Sequence, residues 1–432
     1  MRRISSMALA VSVFLLASLV FAGGAAEGTV DDVVRLTFRQ SDPPGEIEGL
    51  EQAVADWNAR NPDIQVRIES VPWSDALNQF VREGQASGGP DVLQIAFVWT
   101  ADLARAGLLM NLDEMIEREP PGAGIDDFLG TDLGIVEDSY YGIPWTVDTF
   151  VMAYRPDLFA AAGIERFPEE WGEFHETVGR LTQDIDGDGR IDRYGFGFPA
   201  GSASGGGMWF LVNYYLWSNG DTFVERDPDG EWTVGVSAST LAEIMQYYNR
   251  FFNEGATPMS LIGVNSWGDP ELTGGLARGD FAIGFFPPST FRAAQSQSSV
   301  DLATAMIPRG RTRRVSHLGG RTLAINQNTT HPAEAWEFLR YLTSRGVFER
   351  YRHFPAQQTL LSQLEFPPSE TGYADQLPHA ITFKQYIDSP APVSAMWDAT
   401  NREFASVFSG QKTPEQASRD LLATIEVLLM AR

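Results

Sequence analysis

The stretch that decides the fold runs from Val34 to Ser70, VRLTFRQSDPPGEIEGLEQAVADWNARNPDIQVRIES. Val34, Leu36 and Phe38 alternate with polar residues, the period of a half-buried strand. Ile47, Leu50, Ala53, Val54 and Trp57 then recur on one face of a helix, and Asn61-Pro62 stops it. Ile64, Val66 and Ile68 alternate again. Two strands joined through a helix form a right-handed βαβ unit, so the sheet is parallel. Gly88-Gly89-Pro90 makes a turn, and the near-continuous apolar run from Asp91 to Ala96 predicts a strand buried on both faces. This is open α/β architecture.

Upstream, Arg2 and Arg3 precede an apolar run from Met7 to Val20, and Val20-Phe21-Ala22 fits a signal-peptidase site. Residues 1–22 are therefore expected to be a cleaved signal peptide, because the run is shorter than the roughly 20 residues a bilayer span needs. Cysteine is absent from all 432 residues. That excludes a disulfide framework and a thiolate metal site, and also a lipid-modified N-terminal cysteine. A soluble periplasmic protein is the expectation. The formal net charge of -25 includes only two lysines, Lys384 and Lys412. Such a surface repels nucleic acid and anionic lipid. The cluster Arg309, Arg311, Arg313 and Arg314 is read as a solvated loop.

Downstream, the chain changes character around Tyr141-Gly142-Ile143-Pro144. Residues 150 to 285 mix helices (Trp171 to Leu181, Leu241 to Asn253) with Gly-rich and aromatic-rich loops. Leu323-Ala324-Ile325 leads to a helix entered at His331-Pro332-Ala333. The last thirty residues, from about Arg402, read as one or two helices.

In order and spacing these segments resemble the family 1 extracellular solute-binding proteins of ABC sugar importers, the maltose-binding-protein-like group. Leu50 to Pro62 matches the family's first helix. Gly89-Pro90-Asp91-Val92 and Gly107-Leu108-Leu109 match its third strand and next helix. Tyr141-Gly142-Ile143-Pro144 followed by Tyr154-Arg155, Asp157-Leu158-Phe159 and Ala162-Gly163-Ile164 is the most specific match. Gly319-Gly320, Leu323-Ala324-Ile325 and Pro332-Ala333 with Ala335-Trp336 complete it. The resemblance implies a two-lobed periplasmic binding protein fold of type II, each lobe a mostly parallel sheet flanked by helices. It places residues 30–144 and 319–352 in the N-terminal lobe, and 150–316 and 356–432 in the C-terminal lobe. Hinge crossovers are expected near Ile143 to Trp145, near Leu318 and near Phe354. It also implies a monomer that closes on a sugar and hands it to the permease subunits of an ABC importer.

A sugar offers an apolar ring face and a rim of hydroxyls, so its site needs flat aromatics beside groups that give and accept hydrogen bonds. In an open α/β sheet such a site lies off the carboxyl ends of the strands. Arg39, Gln40 and Asp42 follow the first strand, although Asp42 is equally suited to capping a helix. Trp73 ends the second strand and Trp99 the third. Trp145 and Asp148 follow Pro144, and Asp148 stands where the resemblance places a sugar-binding carboxylate. Trp209 follows a Gly-rich loop where the resemblance expects a stacking ring. Trp267 lies in a further polar loop, and Trp397 matches a family segment whose Trp stacks on sugar. His317 and Arg321 flank Gly319-Gly320; with Arg39 they suit either an acidic or phosphorylated sugar or neutral hydroxyls. One departure is Phe286-Pro287-Pro288-Ser289, where the family often has Gly-Pro-Trp.

Asp184, Asp186, Asp188 and Asp192 have the spacing of a calcium loop, with Gly189 at its sixth place but Gly195 in place of the usual twelfth-position acid. A low-affinity structural calcium and a plain polar turn both fit; no other cofactor is expected. A glycosidase needs two carboxylates about 5 to 10 Å apart, for which Asp42 and Asp148 are the candidates. No nucleophile elbow, His-Glu-x-x-His or phosphate loop is present, so binding without catalysis is the expected function, with a polyamine or peptide as the alternative solute.

Overall fold

The computed structural model describes residues 33–42, 47–119, 125–203 and 206–430; the expected signal peptide lies outside them. Ten strands build the two main sheets: β1 (Val34–Gln40), β2 (Ile64–Ser70), β3 (Val92–Ala96), β4 (Ile143–Asp148), β5 (Val151–Tyr154), β6 (Tyr194–Gly197), β7 (Phe281–Phe286), β8 (Ala303–Ala305), β9 (Gly319–Ile325) and β10 (Phe354–Pro355). The larger sheet is ordered β10-β4-β9-β3-β1-β2 and the smaller β8-β5-β7-β6.

The opening unit forms as its pattern predicts. Leu36 and Phe38 are buried while Arg35 is exposed, and α1 (Glu48–Arg60) buries Leu50, Ala53, Val54 and Trp57. Asn61 ends that helix by directing both its backbone N–H and its side-chain amide to Trp57 O. β1 pairs parallel with β2 and with β3. The larger sheet is nevertheless mixed. β9, which returns from the second lobe, and β10, which follows it, run antiparallel to their neighbours. In the smaller sheet β5 is antiparallel to both β7 and β8, while β7 and β6 are parallel.

The first crossing lies a few residues past Trp145. β4 runs through Trp145 to Asp148 because Val147 pairs with both Gly320 and Phe354. The chain passes to the smaller sheet at Thr149-Phe150, returns at Leu318, and leaves again after Pro355. The larger sheet thus includes residues beyond 144 and 352. The first two crossings are tied together where Thr149 Oγ1 donates to Ser316 Oγ at 2.7 Å.

One core lies under the larger sheet, around Phe38, Trp57, Trp145, Phe338 and Leu339. Another packs Met152, Phe196 and Phe285 against the helices Met208–Asn219, Ala238–Asn253 and Val393–Phe408. Gly142 is one of the tight points of the first core: a Cβ there would sit 2.1 Å from Thr322 Cγ2. Gly142→Ala is therefore expected to cost about 1–3 kcal/mol in urea unfolding. A loss below about 0.5 kcal/mol would show that the strands relax freely.

Candidate functional site

The carboxyl ends of β1, β2, β3 and β4 converge on one edge of the larger sheet, and β9 enters there from the other lobe. Trp73, first residue of the helix Trp73–Gln85, follows β2; Trp99 closes the short turn Phe97–Trp99 after β3. Their rings stack with centroids 4.8 Å apart and planes 28° apart. Trp73 remains 39% exposed, the most open tryptophan of the cluster. The Arg321 guanidinium lies 5.6 Å from the Trp73 ring centroid.

Arg321 is the hub. Its Nη2 meets Asp42 Oδ1 at 2.9 Å and its Nη1 meets Asp148 Oδ2 at 3.0 Å. Arg321 occupies a site opposite Ala96 and Thr146 in the sheet, which directs it between those two carboxylates. Asp42 also accepts hydrogen bonds from Gln94 Nε2 at 2.8 Å and from the Tyr351 hydroxyl. Burial alone would raise the Asp42 pKa, but Arg321, His353, Tyr351 and Gln94 together bring it down to about 2. Asp148 is pushed the other way: burial raises its carboxyl above the ordinary range, although Arg321 opposes this.

The second lobe supplies an aromatic wall. His317 Nε2 lies 3.8 Å from Asp148 Oδ1, and its Nδ1 is bonded to the Tyr214 hydroxyl. Burial holds the His317 imidazole down to about 3, so it is neutral at physiological pH. Phe150 and Phe210 pack on that imidazole at 5.0 and 4.6 Å. Trp267 adjoins Phe150 at 4.7 Å, and Trp397 meets Phe210 edge-on at 4.9 Å.

The structure thus gathers Trp73, Trp99, Asp42, Asp148 and Arg321 around one point, with Trp267 and Trp397 on the aromatic wall. Five expectations are corrected. Arg39 is buried and held by Glu69 at 2.9 Å and Glu83 at 2.7 Å, so it stabilises the β1–β2 edge. Gln40 is fully buried, donating to Ser70 Oγ and accepting from the Asp42 N–H. Trp145 is a core ring stacked on Tyr351 at 4.9 Å, its Nε1 donating to Leu342 O. Trp209 is equally buried, with stacked contacts to Phe223, Phe383 and Trp397. The capping role open to Asp42 is not taken up, since Ile47 is the cap residue of the helix Glu48–Arg60 and no side chain caps it.

Sequence reasoning missed Gln94, Tyr214 and Tyr351. A polar residue inside the apolar run of β3 was the available signal for Gln94. The two tyrosines come from remote segments and carry no local signal.

The acidic loop is separate. Asp184, Asp186 and Asp188 have carboxylate oxygens within 4.8 Å of one another, and all three are exposed. Asp192, also exposed, stands outside that group and accepts the Ile185 N–H at 2.7 Å. The twelfth place must be glycine, because a Cβ on Gly195 would lie 2.2 Å from Val178 O. The strong bidentate ligand of a calcium loop is sterically barred there.

Two α/β sheets with repeated crossings, and a ring-lined, carboxylate-bearing cluster at those crossings, define a two-lobed ligand-binding protein. The chain belongs to the bacterial extracellular solute-binding protein family, whose profile matches residues 43–347. A Brucella abortus protein named only as a binding protein is 23% identical over 389 residues, spanning 88% of this chain and 89% of that one. The galactooligosaccharide-binding protein of Bacillus subtilis is 21% identical over 386 residues, spanning 85% and 84%. The GacH receptor of Streptomyces glaucescens, solved unliganded and with acarbose, shares the fold with a TM-score of 0.75 at 19% identity over 92% of this chain and 98% of that one. No helix among the described residues is long and apolar enough to cross a membrane.

Proposed function

We propose that this chain is the periplasmic, monomeric solute-binding component of an ABC importer, capturing a sugar or oligosaccharide between its lobes and delivering it to the membrane permease. The observation that carries this reading is the exposed Trp73–Trp99 stack beside the Arg321–Asp42–Asp148 cluster. A flat ring for the sugar face and charged hydrogen-bonding groups for its hydroxyls stand within one strand-end site. The galactooligosaccharide and acarbose named for two similar proteins support the same class of ligand. Binding without chemistry is supported by the family to which the chain belongs and by the similar proteins, which are binding proteins.

Differential scanning fluorimetry across a saccharide panel tests the reading, since a ligand specific for the folded state raises the melting temperature by mass action. A panel in which polyamines or peptides stabilise and no saccharide does would defeat it, as would turnover of an oligosaccharide on incubation. Trp73→Ala and Trp397→Ala are each expected to weaken the stabilising saccharide by about tenfold or more. Titration calorimetry showing unchanged affinity in both variants would remove the rings from the site.

A further inference from the structure

The cations of the strand-end cluster are already spent. Arg39 is clamped between Glu69 and Glu83, and Arg321 between Asp42 and Asp148. At the site itself two carboxylates against the one guanidinium of Arg321 leave one net negative charge (two minus one), and the Arg39 clamp behind it offers no free cation. The imidazoles facing it add nothing: burial keeps both His317 and His353 down to about 3, against the pull of Asp42 on His353. Arg292, which also acts on His353, is itself bonded to Glu370 at 2.8 Å. The whole chain, at -25, adds a repulsive far field for any anion.

Asp148 is the more accessible of the two carboxylates on Arg321, with a side chain 22% exposed against 1% for Asp42. Its Oδ2 accepts from Arg321, while its Oδ1 lies too far from His317, at 3.8 Å, for a hydrogen bond. That oxygen is an acceptor suited to a donating hydroxyl and hostile to a second carboxylate or a phosphate. Resting on the saccharide reading above, we propose that the site is a charge filter, taking uncharged saccharides and rejecting carboxylated or phosphorylated ones, with Asp148 setting the selectivity.

The test is calorimetric titration with a matched pair: the neutral saccharide that gives the largest melting shift, and the same saccharide with a primary alcohol oxidised to a carboxylate. The wild-type chain is expected to bind the neutral member about a hundredfold more tightly, since like charges brought together in an interface are strongly disfavoured. Asp148→Asn, which removes one negative charge and loosens the clamp on Arg321, is expected to narrow that ratio about tenfold. Equal wild-type affinities for the pair overturn the filter and leave the saccharide reading standing. A ratio unchanged in folded Asp148→Asn overturns the role of Asp148; if that variant does not fold, Asp148→Ser serves in its place. Binding of neither saccharide overturns the saccharide reading and the filter with it.

Discussion

Arg321→Met is expected to destabilise the protein by about 3–5 kcal/mol in urea unfolding, the range for removing one partner of a buried ion pair. Asp42 is the reason. Its side chain is 1% exposed and its strongest countercharge is Arg321. The remaining hydrogen bonds from Gln94 and Tyr351 partly solvate the carboxylate but supply no positive charge. Loss of Arg321 also frees Asp148, which lies against neutral His317. A double-mutant cycle isolates the pair. Asp42→Asn added to Arg321→Met is expected to recover at least about half of the loss, because the more deeply buried of the two carboxylates no longer carries a charge and only the more accessible Asp148 is left without its partner. A loss below about 1 kcal/mol for Arg321→Met alone would show that water reaches Asp42 and that Arg321 serves only the ligand.

The first βαβ unit was fully legible because hydrophobic period and stop signals agree there. Register adds more than the pattern alone suggests. With Val34 opposite Ile64, the parallel pairing sets Arg39 beside Glu69 and Gln40 beside Ser70. Those are the partners that hold the two side chains, so they were spoken for by the sheet before any ligand. Trp209 was misread although its helix, MWFLVNYYLWSN, is apolar on every side, the signature of a helix buried all round. Trp145 was misread because Pro144 suggested a break. The strand tolerates that proline at the register shift between Arg321 and Thr322, a place where a missing N–H does no harm. The Asp42 counter-ions were not legible. Arg321, Tyr351 and His353 lie roughly 280 to 310 positions further along the chain, and only tertiary folding brings them to β1.

Acidification from pH 7 to 4.5 is expected to remove about 5 kcal/mol of stability, most of it through His317 and His353. Burial is the leading cause for both, holding their folded pKa values down to about 3 against 6.5 for the free imidazole. The folded state therefore keeps them neutral while the unfolded state takes up protons. Their contribution is intact above pH 6.5 and is lost as the pH falls toward 3, at about 1.4 kcal/mol per unit for each imidazole. Packed around His317 are Tyr214, Phe150, Phe210, Phe383 and Asp148; acting on His353 are Asp42, Arg321 and Arg292. Asp42 has the other form of dependence. Its folded pKa of about 2 lies below the ordinary 3.8, so its stabilisation is complete above that value and is lost as the pH falls through 2. Asp148, raised by burial, works in the opposite direction: folded, it takes up its proton at a higher pH than when unfolded, which blunts the loss above the ordinary carboxylate range. Urea unfolding at pH 7, 6, 5 and 4.5 reads the slope directly. His317→Gln is expected to cut it by about half, since one of the two titrating imidazoles is gone. A stability that differs by less than about 1 kcal/mol between pH 7 and 4.5 would mean that the two histidines accept protons without unfolding, and that the aromatic wall around His317 opens readily to water.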